Sequence, residues 1–278
     1  MTDRRLDAAR AFYASLVAGQ SGAAPELRER MERAFALVPR EHFLGPPPWA
    51  ALTGLRGVIE TSDPIHLYQN VLVAIDRARG VNNGEPCLHG QLIAALHPQR
   101  GERALHIGCG TGYYTAILAT LVAPDGRVTG YEILDDLASA AARNLAPWEN
   151  ADVIAGSGAD AALPAADMIY VSAGSTRPAD AWLDALVDGG RLVFPLIGAK
   201  RDGVALLVSR RGVAFDATVI SRVSFITCAG AFDAEEGAAV DRGVKRLRRG
   251  EALTLLRDGG ESEASIVAGH RWRLVARG

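Results

Sequence analysis

Between residues 103 and 197 the sequence alternates short β-rich runs with helix-spaced segments, and this alternation restricts the fold more than any other feature. RALHIG (103–108), RVTGYEI (127–133), DVIAG (152–156), DMIYVSAG (167–174) and GRLVFPLI (190–197) have the length and composition of strands. TGYYTAILATLVA (111–123), LDDLASAAARNLA (134–146) and PADAWLDALV (178–187), which separate them, have helical spacing. Strands joined by helices of that length imply right-handed crossovers and a mostly parallel sheet with helices on both faces.

The flanks read differently. Residues 4–19 and 24–38 are spaced as helices, GPPPWA (45–50) ends that section, and a loop-rich stretch runs to about 86. After 200, GVALLVSRRG and TVISRVSFIT predict a hairpin-like continuation of the sheet. The sequence thus divides into an N-terminal helical and loop section (1–86), a main α/β domain (87–228) and a C-terminal appendage (229–278). In the appendage, Trp272 is expected to anchor the tail to the body. The basic run Arg242, Lys245, Arg246, Arg248 and Arg249 reads as a solvated face or a docking patch for an acidic peptide.

Composition removes several function classes. A formal net charge of −2 gives no global pull towards nucleic acid or an anionic membrane. No apolar run approaches the roughly 20 residues that cross a bilayer. The N-terminus lacks a signal-peptide core, and three cysteines without metal-ligand spacing imply reduced thiols, so a cytoplasmic location is expected.

The chemistry concentrates in LHIGCGTG (105–112), where a strand runs into a helix through Gly108, Gly110 and Gly112. Glycines at such a turn let the backbone approach a ligand that side chains would keep away. Glu132, about twenty residues on at the end of the next strand, is placed to accept hydrogen bonds from both hydroxyls of a ribose. A nucleoside site at the carboxyl ends of the strands follows. Tyr113 stands where a dinucleotide fingerprint has its third glycine, so S-adenosylmethionine (SAM) fits better than NAD.

Four motifs in the same order resemble the protein-L-isoaspartate O-methyltransferase family. VPREHFLG (38–45) is similar to its VPRE-x-F signature and LHIGCGTGYYTAILA to its glycine motif. GRVTGYEI resembles its ribose-binding strand and LVDGGRLVFPLIG (186–198) its L-x-x-GGRL-x-x-P segment. The resemblance implies a Rossmann-like, seven-stranded class I SAM-dependent methyltransferase fold, and a peptide or protein acceptor carrying an isomerised aspartyl residue. It places His106, Gly108, Cys109, Gly110, Gly112, Glu132, Ser157 and Gly158 at the cofactor, and Asn83, Gly84, Glu85 and His89 at the acceptor.

The chain also departs from the family pattern. Gly84 stands for the family's acceptor-site serine, Gly90 for an alanine and His106 for an acid. Gly156-Ser157-Gly158 replaces a Gly-Asp-Gly element, and Tyr68-Gln69-Asn70 is a looser form of an upstream tyrosine element. These changes leave open a dedicated peptide or small-metabolite acceptor, or a SAM-binding module without turnover. A carboxylate acceptor is already ionised and needs no general base; for a hydroxyl or amine, His89 is the first candidate. His89 also reads as a packed helix-face residue and His106 as a hydrogen-bonded core histidine, while Cys109 reads rather as a small filler and His42 as a surface substitution.

Overall fold

The computed structural model describes residues 4–53, 57–160, 162–257 and 264–277. In chain order the elements begin with helices α1 (Arg4–Gln20) and α2 (Pro25–Leu37). Strands β1 (Trp49–Thr53), β2 (Gly57–Thr61), β3 (Leu72–Asp76) and β4 (Val81–Asn82) precede α3 (Pro86–Leu96). Then come β5 (Arg103–Ile107), α4 (Tyr113–Val122), β6 (Arg127–Glu132), α5 (Asp135–Asn144), β7 (Ala151–Ala155), β8 (Ala166–Val171) and α6 (Asp180–Ala185). The chain ends with β9 (Leu186–Ile197), β10 (Asp202–Arg211), β11 (Ala214–Ser224), α7 (Ala234–Val244), β12 (Ala252–Leu256), β13 (Ser265–Ala268) and β14 (Arg273–Ala276).

Two compact units share the chain. The first comprises residues 1–101, 109–128 and 135–153, the second 102–108, 129–134 and 154–278. In the first, α1 buries Tyr13, Ala14, Val17 and Ala18, and α2 buries Leu27, Met31, Ala34 and Phe35. The stretch read as loop-rich contains an antiparallel sheet of order β2-β1-β3-β4. Its strands hide from pattern reading because they do not alternate: the first three residues of β1 are all buried, and β2 is exposed almost throughout.

The second unit is built on a sheet of order β13-β14-β12-β11-β10-β9-β8-β5-β6-β7, which β6 and β7 enter with their C-terminal residues. β8 runs parallel to β5 and β9, whereas every pairing from β9 outward to β13 is antiparallel. The sheet therefore has ten strands among the described residues, against an expectation of seven. The C-terminal section supplies the extra three, β12 to β14. Its side chains Val240, Leu253, Leu255 and Leu274 belong to the same core as Ile169, Leu192 and Phe194. Trp272 is buried in that core, as expected of an anchor. Part of the appendage, residues 258–263, lies outside the described residues. Of the basic run only Arg242 is helical, since α7 ends at Val244. No helix among the described residues is long and apolar enough to cross a membrane.

Candidate functional site

In the second unit the carboxyl ends of β5, β6 and β7 carry five of the expected cofactor residues. Gly108 follows β5 with φ +73°, a conformation that costs an L side chain strain, and its N–H donates to Tyr131 O at 2.9 Å. Glu132 ends β6 buried; its Oε1 accepts the Leu134 N–H at 3.0 Å, and its carbonyl accepts Gly156 N–H at 2.8 Å. Gly158 is closely packed, and a larger residue there would make its neighbours shift. A Cβ there would fall 2.6 Å from Ile107 Cδ1 and 3.1 Å from Tyr131 Cβ. The Ser157 hydroxyl donates to Asp160 Oδ2 at 2.9 Å and accepts Ala159 N–H at 3.2 Å.

His106 is 1% exposed, stacks on Tyr170 with ring centroids 5.1 Å apart, and shares a 2.8 Å hydrogen bond with the Ser172 hydroxyl. Burial pushes its pKa down to about 3, so the ring is neutral at physiological pH. Of its two readings, the structure supports the hydrogen-bonded core histidine. Ser172 has no local sequence signal; it becomes visible only because β8 lies beside β5.

The rest of the glycine loop belongs to the first unit. Gly110 and Gly112 have φ +57° and +97°, and Cys109 is buried. Thr111, which carries no signal of its own in the sequence, donates its hydroxyl to Phe43 O at 2.6 Å, while Asn144 Nδ2 donates to Thr111 O at 3.0 Å. His42 is exposed, and its ring hydrogen-bonds Asn144 O at 3.0 Å. Phe43 and His42 of the VPREHF motif are therefore tied to the loop through Thr111 and Asn144.

Arg40 of that motif is fully buried. Its guanidinium donates to Leu67 O (2.6 Å), Gln69 O (3.2 Å), Val71 O (2.7 Å), Gly84 O (3.3 Å) and Asn83 Oδ1 (3.1 Å). Arg10, Glu41 and Tyr68 form a hydrogen-bonded cluster beside it.

Of the expected acceptor residues, Asn83, Gly84 and Glu85 lie on the turn entering α3, and His89 lies within α3 itself. The Asn83 side-chain oxygen is held by Arg40, and its N–H donates to Val73 O at 2.8 Å. Glu85 is exposed and accepts from Asn70. His89 is 4% exposed and lies flat on Tyr114, centroids 4.0 Å apart and planes 2° from parallel. Gly84 has φ +71°, and a Cβ on it would fall 2.0 Å from His89 Nε2. The imidazole thus fills the volume that a side chain at position 84 would need.

The α/β sheet with its glycine turn and strand-end acid defines the fold of class I SAM-dependent methyltransferases. Residues 59–232 match the family model described as protein-L-isoaspartate(D-aspartate) O-methyltransferase, and the chain belongs to that family. It is 31% identical over 172 residues to the protein-L-isoaspartate O-methyltransferase of Aeropyrum pernix, covering 60% of this chain and 60% of the relative. The chain thus spans less than two thirds of that relative's length. A solved protein-L-isoaspartate O-methyltransferase structure superposes with a TM-score of 0.67 at 20% identity, over 96% of this chain and 88% of that one. A Plasmodium falciparum structure, provisionally described as a protein of the same name and bound to S-adenosyl-L-homocysteine, gives a TM-score of 0.59 at 17% identity, over 80% and 98%.

Proposed function

We propose that this chain is a SAM-dependent O-methyltransferase that methylates the carboxylate of isoaspartyl residues in proteins. The observation that carries the reading is the strand-end edge of β5–β7 in a member of this family. There Gly108 leaves backbone bare of side chain, Glu132 offers an acceptor-only group suited to two vicinal hydroxyls, and Gly158 keeps the adenine side low. These residues of the second unit fit a bound SAM: Gly108 for its amino acid end, Glu132 for the ribose, Ser157 and Gly158 beside the adenine.

When bound, SAM supplies a methyl group on a sulfonium, already activated for in-line displacement. The protein's own task is to align the acceptor oxygen and exclude water. An isoaspartyl carboxylate is ionised at pH 7, so no general base is required. His106, neutral and tied to Ser172, carries no charge that would repel the cofactor's ammonium and sulfonium groups. We assign the acceptor to residues 82–90, the turn into α3 and its first residues, where Arg40 holds the Gly84 carbonyl. Three buried cysteines that are not paired in disulfides suit the reducing cytoplasm.

Methyl transfer from labelled SAM to a synthetic isoaspartyl peptide, with its aspartyl twin as control, tests the reading. Transfer to the isoaspartyl peptide alone is expected. No transfer from a sample that binds SAM would overturn the acceptor, and turn attention to a dedicated peptide or small metabolite. The imidazole of His89 packed against Gly84 favours that second reading, because it changes the chemistry offered on the acceptor turn.

A further inference from the structure

Glu236 stands in the first turn of α7, beyond the last residue that the family model matches, and is only 3% exposed. A carboxylate taken that far from water is costly unless donors surround it. Glu236 Oε1 accepts the His270 backbone N–H at 2.7 Å, with the His270 ring nitrogen Nδ1 at 4.0 Å. Its Oε2 accepts the Thr176 hydroxyl at 3.3 Å and lies 3.7 Å from the Arg177 guanidinium. One buried acid thus joins the hairpin β13–β14 to the loop that follows β8.

The same two loop residues hold a second segment. Thr176 N–H donates to Ala231 O at 3.0 Å, and Arg177 Nη2 donates to Gly230 O at 2.9 Å. Upstream, Gly174 N–H donates to Ile226 O and Cys228 N–H to Gly174 O, both at 2.7 Å. Downstream, Asp233 N–H donates to the Thr176 hydroxyl at 2.9 Å. Residues 226–233 are therefore laced to residues 174–177 along their length.

The far side of this strap faces the strand-end edge. Gly230 has φ +82°, and a Cβ on it would fall 2.2 Å from Asp160 Oδ2, the carboxylate that takes the Ser157 hydroxyl. Burial pushes the Cys228 thiol pKa up to about 12, and the nearby charges of Asp160 and Glu132 add to the shift.

We propose that Glu236 is a positioning residue that uses Thr176 and Arg177 to set the 226–233 strap as a wall of the nucleoside side of the site, making the C-terminal tail part of the cofactor-binding apparatus. The proposal rests on the reading of the strand-end edge as a SAM site. It explains a buried acid that neither sheet nor helix requires, and gives the tail a role besides extending the sheet.

Calorimetric titration of the full chain with S-adenosyl-L-homocysteine tests it, alongside thermal melts and steady-state kinetics in SAM. Glu236→Ala is expected to weaken binding on the order of tenfold and to raise the KM for SAM in proportion, with kcat at saturating SAM held within about twofold. Glu236→Gln, whose amide oxygen still accepts one donor, should recover part of the loss. Arg177→Met should lose less than Glu236→Ala. A lowered Tm with unchanged affinity in the folded Glu236→Ala protein would overturn the proposal, leaving Glu236 a structural group only. Should Glu236→Ala not fold, the affinity of Arg177→Met decides in its place, since that side chain is 37% exposed. Failure of the wild-type protein to bind the probe is a different result, and would remove the cofactor reading itself.

Discussion

The strand-end edge and the turn entering α3 both contain a glycine at which an added Cβ would collide with a neighbouring side chain, but the neighbours differ in kind. Gly158 is closed off by Ile107 and Tyr131, residues of β5 and β6 themselves, so its bareness belongs to the sheet. At Gly84 the three atoms nearest an added Cβ all belong to the His89 ring, so beyond its positive φ its bareness belongs to a pair of residues. A constraint set by the sheet changes only with the fold, whereas one set by a pair can be exchanged by altering both members. On this difference, Gly158 is retained at an edge that has otherwise exchanged side chains at His106 and Ser157, whereas on the acceptor turn the exchange falls on position 84 itself.

The largest expected effect tests whether the turn is held as rigidly as the edge. Arg40→Met keeps the stem but strips the donors from four backbone carbonyls and the Asn83 side chain. It should cost about 4 kcal/mol in urea unfolding. A loss below about 1 kcal/mol would show that the turn does not depend on its buried arginine.

Next in size is the pair itself. Gly84→Ser should destabilise by about 2 to 3 kcal/mol, from the overlap with His89 and the strained φ. Adding His89→Ala should return at least about 1 kcal/mol of that, read as a coupling energy in a double-mutant cycle of melts. Additive losses would erase the contrast with Gly158, for which no single partner can be removed.

The smallest effect sharpens the other side. With His106 held well below its ordinary pKa of 6.5, the unfolded chain takes up a proton that the folded one refuses. Stability should be level above about pH 6.5 and fall as pH drops from there towards about 3. The loss reaches about 2 kcal/mol by pH 5. His106→Asn should flatten that slope in melts between pH 7 and 5, and an unchanged slope would assign it to other groups.

Legibility in the sequence followed the range of the interactions involved. β5, α4, β6 and α5 could be read to within a residue or two, because each buries a continuous or periodic run. Gly108, Gly112 and Glu132 could be read because a strand-to-helix turn and a strand end are local events. β1 to β4 could not, for their burial does not alternate. The roles of Arg40 and Thr111 were equally hidden, although the motif around them was evident, because their partners lie 27 to 68 residues away.

By itself, then, the sequence determined the alternation of strands and helices, the glycine turn, the strand-end acid and hence the class of fold. Each rests on residues adjacent in the chain, whose periodicity and backbone freedom act before any tertiary contact forms. Only the tertiary structure decided that His106 is a neutral partner of Ser172, that His89 stands in the side-chain volume of position 84, and that the tail completes the sheet and locks Glu236 to Thr176 and Arg177. Those outcomes depend on burial and on neighbours brought together by folding, and a side chain's chemistry, unlike its helical or strand preference, is set by what surrounds it.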